Sequence, residues 1–267
     1  MSDSAPAAPS IVPPVPAPSR TSRARATSAA KPKKKAVPKP LPAPKIITVF
    51  NMKGGCGKST IAGQLGGTLG ARGYRVLLVD MDLQSTTSRW SAQAPVDRPF
   101  PATVVSLAAY KDRAIFELQK LEKMYDFFIF DCAPALDSSV PWSALVSSHL
   151  GIIPVIPLLG DMWATNEAKI LGVNAKQRNE KLQLCMIPSN VKRGAIYEVY
   201  LEQLRAEANE DIDVPKLQIS SLNAYPESVT FGSTVGTSPK KSRSAIAEVD
   251  ALTDYVLHKL GIKPTKG

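Results

Sequence analysis

The sequence predicts an α/β protein, a mostly parallel twisted sheet with helices on both faces. Three observations carry that expectation. Short, continuously apolar segments recur along the chain, segments of helical length separate them, and a glycine-rich loop joins the first apolar segment to a helix. Strands apolar on both sides belong in a sheet covered on both faces, and their alternation with helices argues for parallel crossovers.

In chain order, the β-branched run Ile46 to Asn51 reads as the first strand, and after the glycine loop Ser59 to Arg72 reads as a helix. Arg75 to Asp80 is the second strand, Phe127 to Asp131 the third, Gly151 to Pro157 the fourth and Leu182 to Ile187 the fifth. Ala114 to Met124, Asn166 to Gln177 and Ile196 to Ala208 have helical length and pattern. Ser244 to Leu260 closes the chain as an amphipathic helix. No internal repeat is visible.

Charge and proline are distributed unevenly. Residues 1–45 hold 11 of the 23 prolines and no glycine, with nine Lys or Arg against the single acid Asp3. That segment carries +8 of the formal +10, so the basic balance belongs to a tail and not to the remaining 222 residues. So little apolar surface cannot offset the entropy of ordering, and residues 1–45 are expected to be a disordered Pro/Ala/Lys-rich tail ahead of a domain at 46–262. Cys56, Cys132 and Cys185 are odd in number and far apart, which argues against a disulfide framework and for a reducing cytoplasm. With His149 and His258 the only histidines, no spacing resembles a zinc cage. The most apolar stretch, Leu150 to Leu159, is interrupted by Pro154 and Pro157 and reads as a buried strand, not a membrane span.

The chemistry is concentrated at Lys53-Gly54-Gly55-Cys56-Gly57-Lys58-Ser59-Thr60. Met52 stands where an ordinary Walker A loop needs glycine, but the deviant form K-G-G-x-G-K-[ST] is matched in full. Such glycines let successive main-chain N–H groups converge on phosphate oxygens, and the helix start adds its positive end. Lys58 is placed to reach the β- and γ-phosphates and Ser59 to ligate Mg²⁺, which makes this a P-loop for Mg-ATP. Lys53 lies ahead of the glycines, better placed to reach nucleotide on a facing subunit, as an arginine finger does. Two carboxylates, Asp80 and Asp82, end the second strand, and Asp131 ends the third. Asp82 is the candidate to orient the attacking water, Asp80 to hold the loop or the metal shell, and Asp131 to bind Mg²⁺ as the Walker B acid. Cys56 and Cys132 read as small packing residues.

These segments resemble the ParA/MinD group of P-loop ATPases. The resemblance rests on N-M-K-G-G-C-G-K-S-T (51–60), R-V-L-L-V-D-M-D-L-Q (75–84) and F-F-I-F-D-C-A-P (127–134). Further support comes from L-Q-L-C-M-I-P-S-N-V (182–191) and from the last helix. It spans about residues 45–262 and is most marked toward plasmid and chromosome partition ATPases of the IncC type. The resemblance implies a homodimer enclosing two ATP molecules, with Lys53 acting across the interface and Asn190 contacting the base. It implies slow hydrolysis, ATP-dependent non-specific DNA binding, stimulation by a ParB-type partner, and a cytoplasmic, nucleoid-associated protein that segregates DNA. Lys192, Arg193, Lys240, Lys241 and Arg243 are the candidate DNA contacts, with the basic tail a second one. Leu83 and Ala133 depart from the family's prolines, away from the phosphate chemistry. The tail cannot form the N-terminal helix-turn-helix of the larger partition proteins.

Three relatives of this chemistry are weighed against it. A MinD-like membrane regulator needs a C-terminal amphipathic helix, and Gly261 to Gly267 is short and broken by Pro264. An iron–sulfur reductase needs paired cluster cysteines. A positioning ATPase for another cargo would use the same residues.

Overall fold

The computed structural model describes residues 38–134 and 139–263. The expected tail falls outside the described residues as far as residue 37, and the last four residues of the chain lie outside them too. Seven strands form one sheet: β1 Lys45–Val49, β2 Val76–Asp80, β3 Thr103–Ser106, β4 Phe127–Asp131, β5 Leu150–Val155, β6 Gln183–Pro188 and β7 Ile212–Asp213. Their order is β3-β2-β4-β1-β5-β6-β7, and every pairing is parallel. The helices are α1 Lys58–Ala71, α2 Thr86–Ala92, α3 Ala114–Gln119, α4 Ser139–Val146, α5 Leu159–Ala164, α6 Asn166–Arg178, α7 Ala195–Ala206, α8 Ala224–Thr230 and α9 Arg243–Lys259.

The central strands carry long apolar runs because each of their faces meets a different core. Ile47, Val49, Leu78 and Ile129 pack with Leu65 and Leu69 of α1 and Val249 and Leu252 of α9. Leu77, Val79, Phe128 and Phe130 turn the other way, toward Ala144 and Leu145 of α4 and Ala168 and Ala175 of α6. A side-chain period of two, filled on both sides, produces the continuous apolar runs seen in the sequence. Helix α1 is buried around most of its girth. At Gly63 it lies so close to Trp90 that an added Cβ would stand 2.0 Å from the indole ring.

Strand register positions the site. Val49 pairs with Asp131, and Asp131 with Asp80, so β1, β4 and β2 end at one level. Whatever follows Val49 therefore emerges beside both carboxylates, at the point where the strand order turns outward from β1 and β4.

Several elements differ from the sequence expectation. The helix expected over Ala114 to Met124 stops at Gln119 and is preceded by a 3-10 turn, Ala108–Arg113, in which Lys111 has φ 49°. Strands β3 and β7 were not foreseen, nor were α2, α4, α5 and α8. On the N-terminal side, Lys45 is the first residue of β1, and the Leu41 N–H donates to Asp126 at 2.9 Å. Leu41 also packs on the core shared by α1 and α9. Among the described residues no helix is long and apolar enough to cross a membrane.

Candidate functional site: a glycine loop between three strand ends

The loop leaves β1 through Asn51, which is 2% exposed. Its amide donates to the Pro154 carbonyl at 2.8 Å and to Thr165 Oγ1 at 3.3 Å, and its oxygen accepts the Lys53 N–H at 3.0 Å. Pro154 lies beyond the β1–β5 pairing, so its missing N–H leaves no gap on that side. Gly55 and Gly57 take positive φ, 75° and 95°. At Gly57 an added Cβ would also lie 2.3 Å from Ser189 Oγ, so the position excludes a side chain for two reasons.

Gly57 is the N-cap of α1, with no side-chain cap and no acid in the first turn. The free N–H groups of that turn are thus left to an external anion. Lys58 is buried, and its ammonium donates to the Lys53 carbonyl at 2.6 Å. The Lys53 ammonium is ion-paired with Asp161 of the same chain, on α5. Cys56 and Cys132 are both buried, and burial pushes each thiol up, in keeping with packing residues.

The two acids expected to share work at the end of β2 are held differently. Asp80 is fully buried, and its oxygens accept the N–H groups of Asp82 at 3.1 Å and Ser88 at 2.8 Å. These bonds tie the turn that follows β2 to its last residue. Asp82 is only half-buried; one of its oxygens accepts the Gln84 N–H at 2.8 Å. Leu83, beside it, is 79% exposed.

Asp131 is the unusual carboxylate. It is 1% exposed, one oxygen accepts the Thr87 hydroxyl at 2.5 Å, and the buried Oδ1 makes no well-formed hydrogen bond, although the Ser59 hydroxyl lies close to the carboxylate. Burial pushes its pKa up to about 6, against the downward pull of Thr87, Ser59 and the Lys58 charge. A buried oxygen left unpaired costs free energy unless something binds it. Oxygen donors alone (Asp131, Ser59 and the nearby Asp80) suit a hard divalent cation such as Mg²⁺. No group of three or more His, Cys, Asp or Glu able to hold a metal occurs among the described residues, so such an ion would need ligands from a phosphate or water as well.

Beside the loop an open cleft of about 320 Å³ is lined by Gly55, Gly57, Thr60, Asn190 and Tyr225, with Ser220 to Asn223 along its far wall. Asn190 has φ 52°. A larger groove of about 910 Å³ shares Ser220 to Leu222 and carries Lys192, Arg193, Arg205 and Ser244. Glu198 and Glu248 line the same groove, and exposed Arg243 precedes Ser244 in sequence. Lys240 lies 3.6 Å from Glu227, and Lys241 donates to the Gly236 carbonyl, which engages both outside that groove.

A model of the CobQ/CobB/MinD/ParA nucleotide-binding domain matches residues 47–235, from β1 past the cleft. The chain belongs to this nucleotide-binding family. Among relatives, it is 27% identical to maintenance of carboxysome distribution protein A of Halothiobacillus neapolitanus over 79% of this chain and 95% of that one. It is 30% identical to the sporulation initiation inhibitor Soj of Bacillus subtilis over 42% of this chain, spanning 58% of Soj. Among solved structures, the family fold recurs in the septum site-determining protein MinD of Pyrococcus horikoshii, complexed with Mg-ADP. There the TM-score is 0.63 at 21% identity, covering 83% of this chain and 99% of that one.

Sequence reasoning named the loop and all three acids but missed the residues that hold them. Thr87 bonds Asp131, Asp161 pairs with Lys53, Asn51 holds the Lys53 N–H, Thr165 holds Asn51, and Ser189 lines the cleft beside Gly57. Only Asn51, directly ahead of the loop, carried a positional signal.

Proposed function

We propose that this protein is a slow, switch-type Mg-ATPase that positions cargo on DNA. ATP would draw two copies together, the dimer would bind DNA without sequence preference, and a ParB-type partner would trigger hydrolysis and release. The observation that carries the reading is the Asp131 carboxylate, buried with Ser59, Asp80 and the Lys58 charge beside it and one oxygen without a well-formed hydrogen bond, where the glycine loop leaves its strand. It supports a metal–triphosphate ligand in preference to a purely structural turn.

In this reading the Gly54 to Gly57 amides and the first turn of α1 hold the phosphates, with Thr60 and the Cys56 main chain completing the cradle. Lys58 would exchange the Lys53 carbonyl for a phosphate oxygen. Ser59 and Asp131 would hold Mg²⁺, which neutralises charge on the phosphates when bound. Asp80 keeps the β2–α2 turn in place, and Asp82 would orient the attacking water. Lys53 would place its charge on the nucleotide of the other copy. Asn190, on the wall of the smaller cleft, would meet the base. Lys192, Arg193 and Arg243 would meet DNA phosphates, with Lys240 and Lys241 at the margin, and a nucleoid-associated location would follow.

Plasmid or chromosome DNA is one cargo for such a switch, and a protein assembly is another. The match to a carboxysome-distribution protein, over 79% of this chain and 95% of that one, supports cargo positioning in the broad sense. The shorter match to Soj supports the same family without choosing the cargo. The test is the ATPase rate with and without DNA and a ParB-type partner, in wild type, Lys53→Ala and Asp82→Ala. Both variants should lose stimulated hydrolysis, by about 100-fold for Asp82→Ala, which should still dimerise with ATP. Wild-type rates in either variant would overturn the role given to that residue.

A further inference from the structure

Lys53 is fastened at three points within its own chain. Its N–H is held by Asn51 at 3.0 Å, its carbonyl accepts the Lys58 ammonium at 2.6 Å, and its own ammonium sits on Asp161. Asp161 is itself fixed. Its N–H donates to Leu158 at 2.9 Å, and its carbonyl accepts the Thr165 hydroxyl at 2.8 Å. Thr165 is buried and also receives the Asn51 amide, which closes a ring from the loop entrance through α5 and back.

We propose that Asp161 is a positioning residue that holds the Lys53 charge on its own protomer, so that dimerisation requires the lysine to leave it. The proposal rests on the dimer reading above and concerns how that dimer is kept from forming too readily. The pair is not an ordinary surface contact: the side chains are 36% and 16% exposed, so the attraction is screened less than between two solvated charges. An ammonium cannot serve Asp161 of its own chain and a triphosphate on a second copy at once. Every dimer therefore carries the cost of breaking two such pairs. The same short helix presents Trp163, 65% exposed, and Leu159, 39% exposed, as an apolar face for the arriving copy to cover. Lysine release and burial of Trp163 would then be one event.

The experiment uses the full chain with magnesium and AMP-PNP, a slowly hydrolysed ATP analogue, and follows dimer formation by sedimentation velocity over a range of protein concentrations. Asp161→Asn keeps the shape and removes the charge. It should reach half-dimer at about five-fold lower protein concentration than wild type. Asp161→Glu, which restores the charge, should return toward wild type. In the Lys53→Ala background Asp161→Asn should change the midpoint by less than about two-fold, because the partner of the pair is already gone. Emission from Trp163, identified against a Trp163→Phe control, should shift to the blue at the midpoint of each protein. An Asp161→Asn midpoint equal to or above that of a dimerising wild type overturns this inference alone. A wild type that stays monomeric at every concentration overturns the dimer reading and the inference with it.

Discussion

Gly57→Ala tests how far the loop's shape is fixed by its surroundings. The substitution meets two separate obstacles. A non-glycine residue held at φ 95° costs about 1–2 kcal/mol. The new Cβ would also lie 2.3 Å from Ser189 Oγ, and Ser189 is 2% exposed on a backbone tied to Val155 at 2.8 Å. Relieving that contact by rotating the hydroxyl or shifting the loop adds about 1 kcal/mol. The folded protein should therefore lose about 2–3 kcal/mol, read by urea denaturation. The double variant Gly57→Ala/Ser189→Ala should recover only the steric share, since the remaining Ser189 Cβ sits at an ordinary 3.5 Å. Binding should suffer separately. If the shifted loop loses one N–H bond to a charged phosphate, about 1.5–3 kcal/mol goes with it, which is about 10- to 150-fold in ATP affinity by calorimetry. A single variant within 0.5 kcal/mol of wild type in stability and unchanged in ATP affinity would refute both steps.

Asp126 anchors the entrance to β1. Burial raises its pKa, but hydrogen bonds from the Arg75 side chain, the Arg75 and Leu41 N–H groups and the guanidinium charge together hold the carboxyl below its usual range. A group depressed in the folded state contributes stability that is present above the ordinary Asp pKa, about 4, and is lost as pH falls through the folded value. Asp126→Asn should thus cost about 1–3 kcal/mol at pH 7, and the gap to wild type should narrow below about pH 4 in a denaturation series. An equal gap at pH 7 and pH 3 would contradict it. For the basic tail, truncation should remove residues 2–37 and stop there, because Leu41 is part of the packed domain. Seven Lys or Arg go with that segment, so if they meet phosphates the slope of log affinity against log salt should flatten by about 6. An unchanged slope would assign the tail no part in DNA binding.

The legible parts of the fold were those where local pattern and tertiary environment agree. Phe127 to Asp131 reads as a strand because every residue in it is buried, and the sequence carries no competing period. β3 failed that test: Thr103 to Ser106 is an edge strand in which only Val104 and Val105 are half-buried, too short an apolar run to stand out from a linker. β7 is two residues long and exists through its pairing with Leu184 and Cys185. The spacing of Leu118, Leu121 and Met124 suggests a helix longer than the one that forms. Instead the chain closes in turns after Gln119, leaving Met124 57% exposed.

The site divides along the same line. A phosphate loop is a main-chain device, and main-chain geometry is written locally, in glycines whose positions can be counted. The acids could be placed because strand ends in a parallel sheet share an edge, as Val49, Asp131 and Asp80 do. Side-chain partners follow no such rule. Thr87 reaches Asp131 because α2 packs back over the end of β2, and Asp161 reaches Lys53 because β5 neighbours β1. Neither contact follows from spacing, since it depends on strand order. Yet these partners decide what the legible residues are free to do. Thr87 occupies one oxygen of Asp131 and leaves the other, buried, to a metal, while Asp161 neutralises the lysine expected to act elsewhere. A motif therefore identifies the ligand class, and the long-range contacts set the threshold at which the motif acts. Substitutions at Thr87 and Asp161 should accordingly alter metal affinity and dimer threshold while leaving the fold and the loop sequence intact.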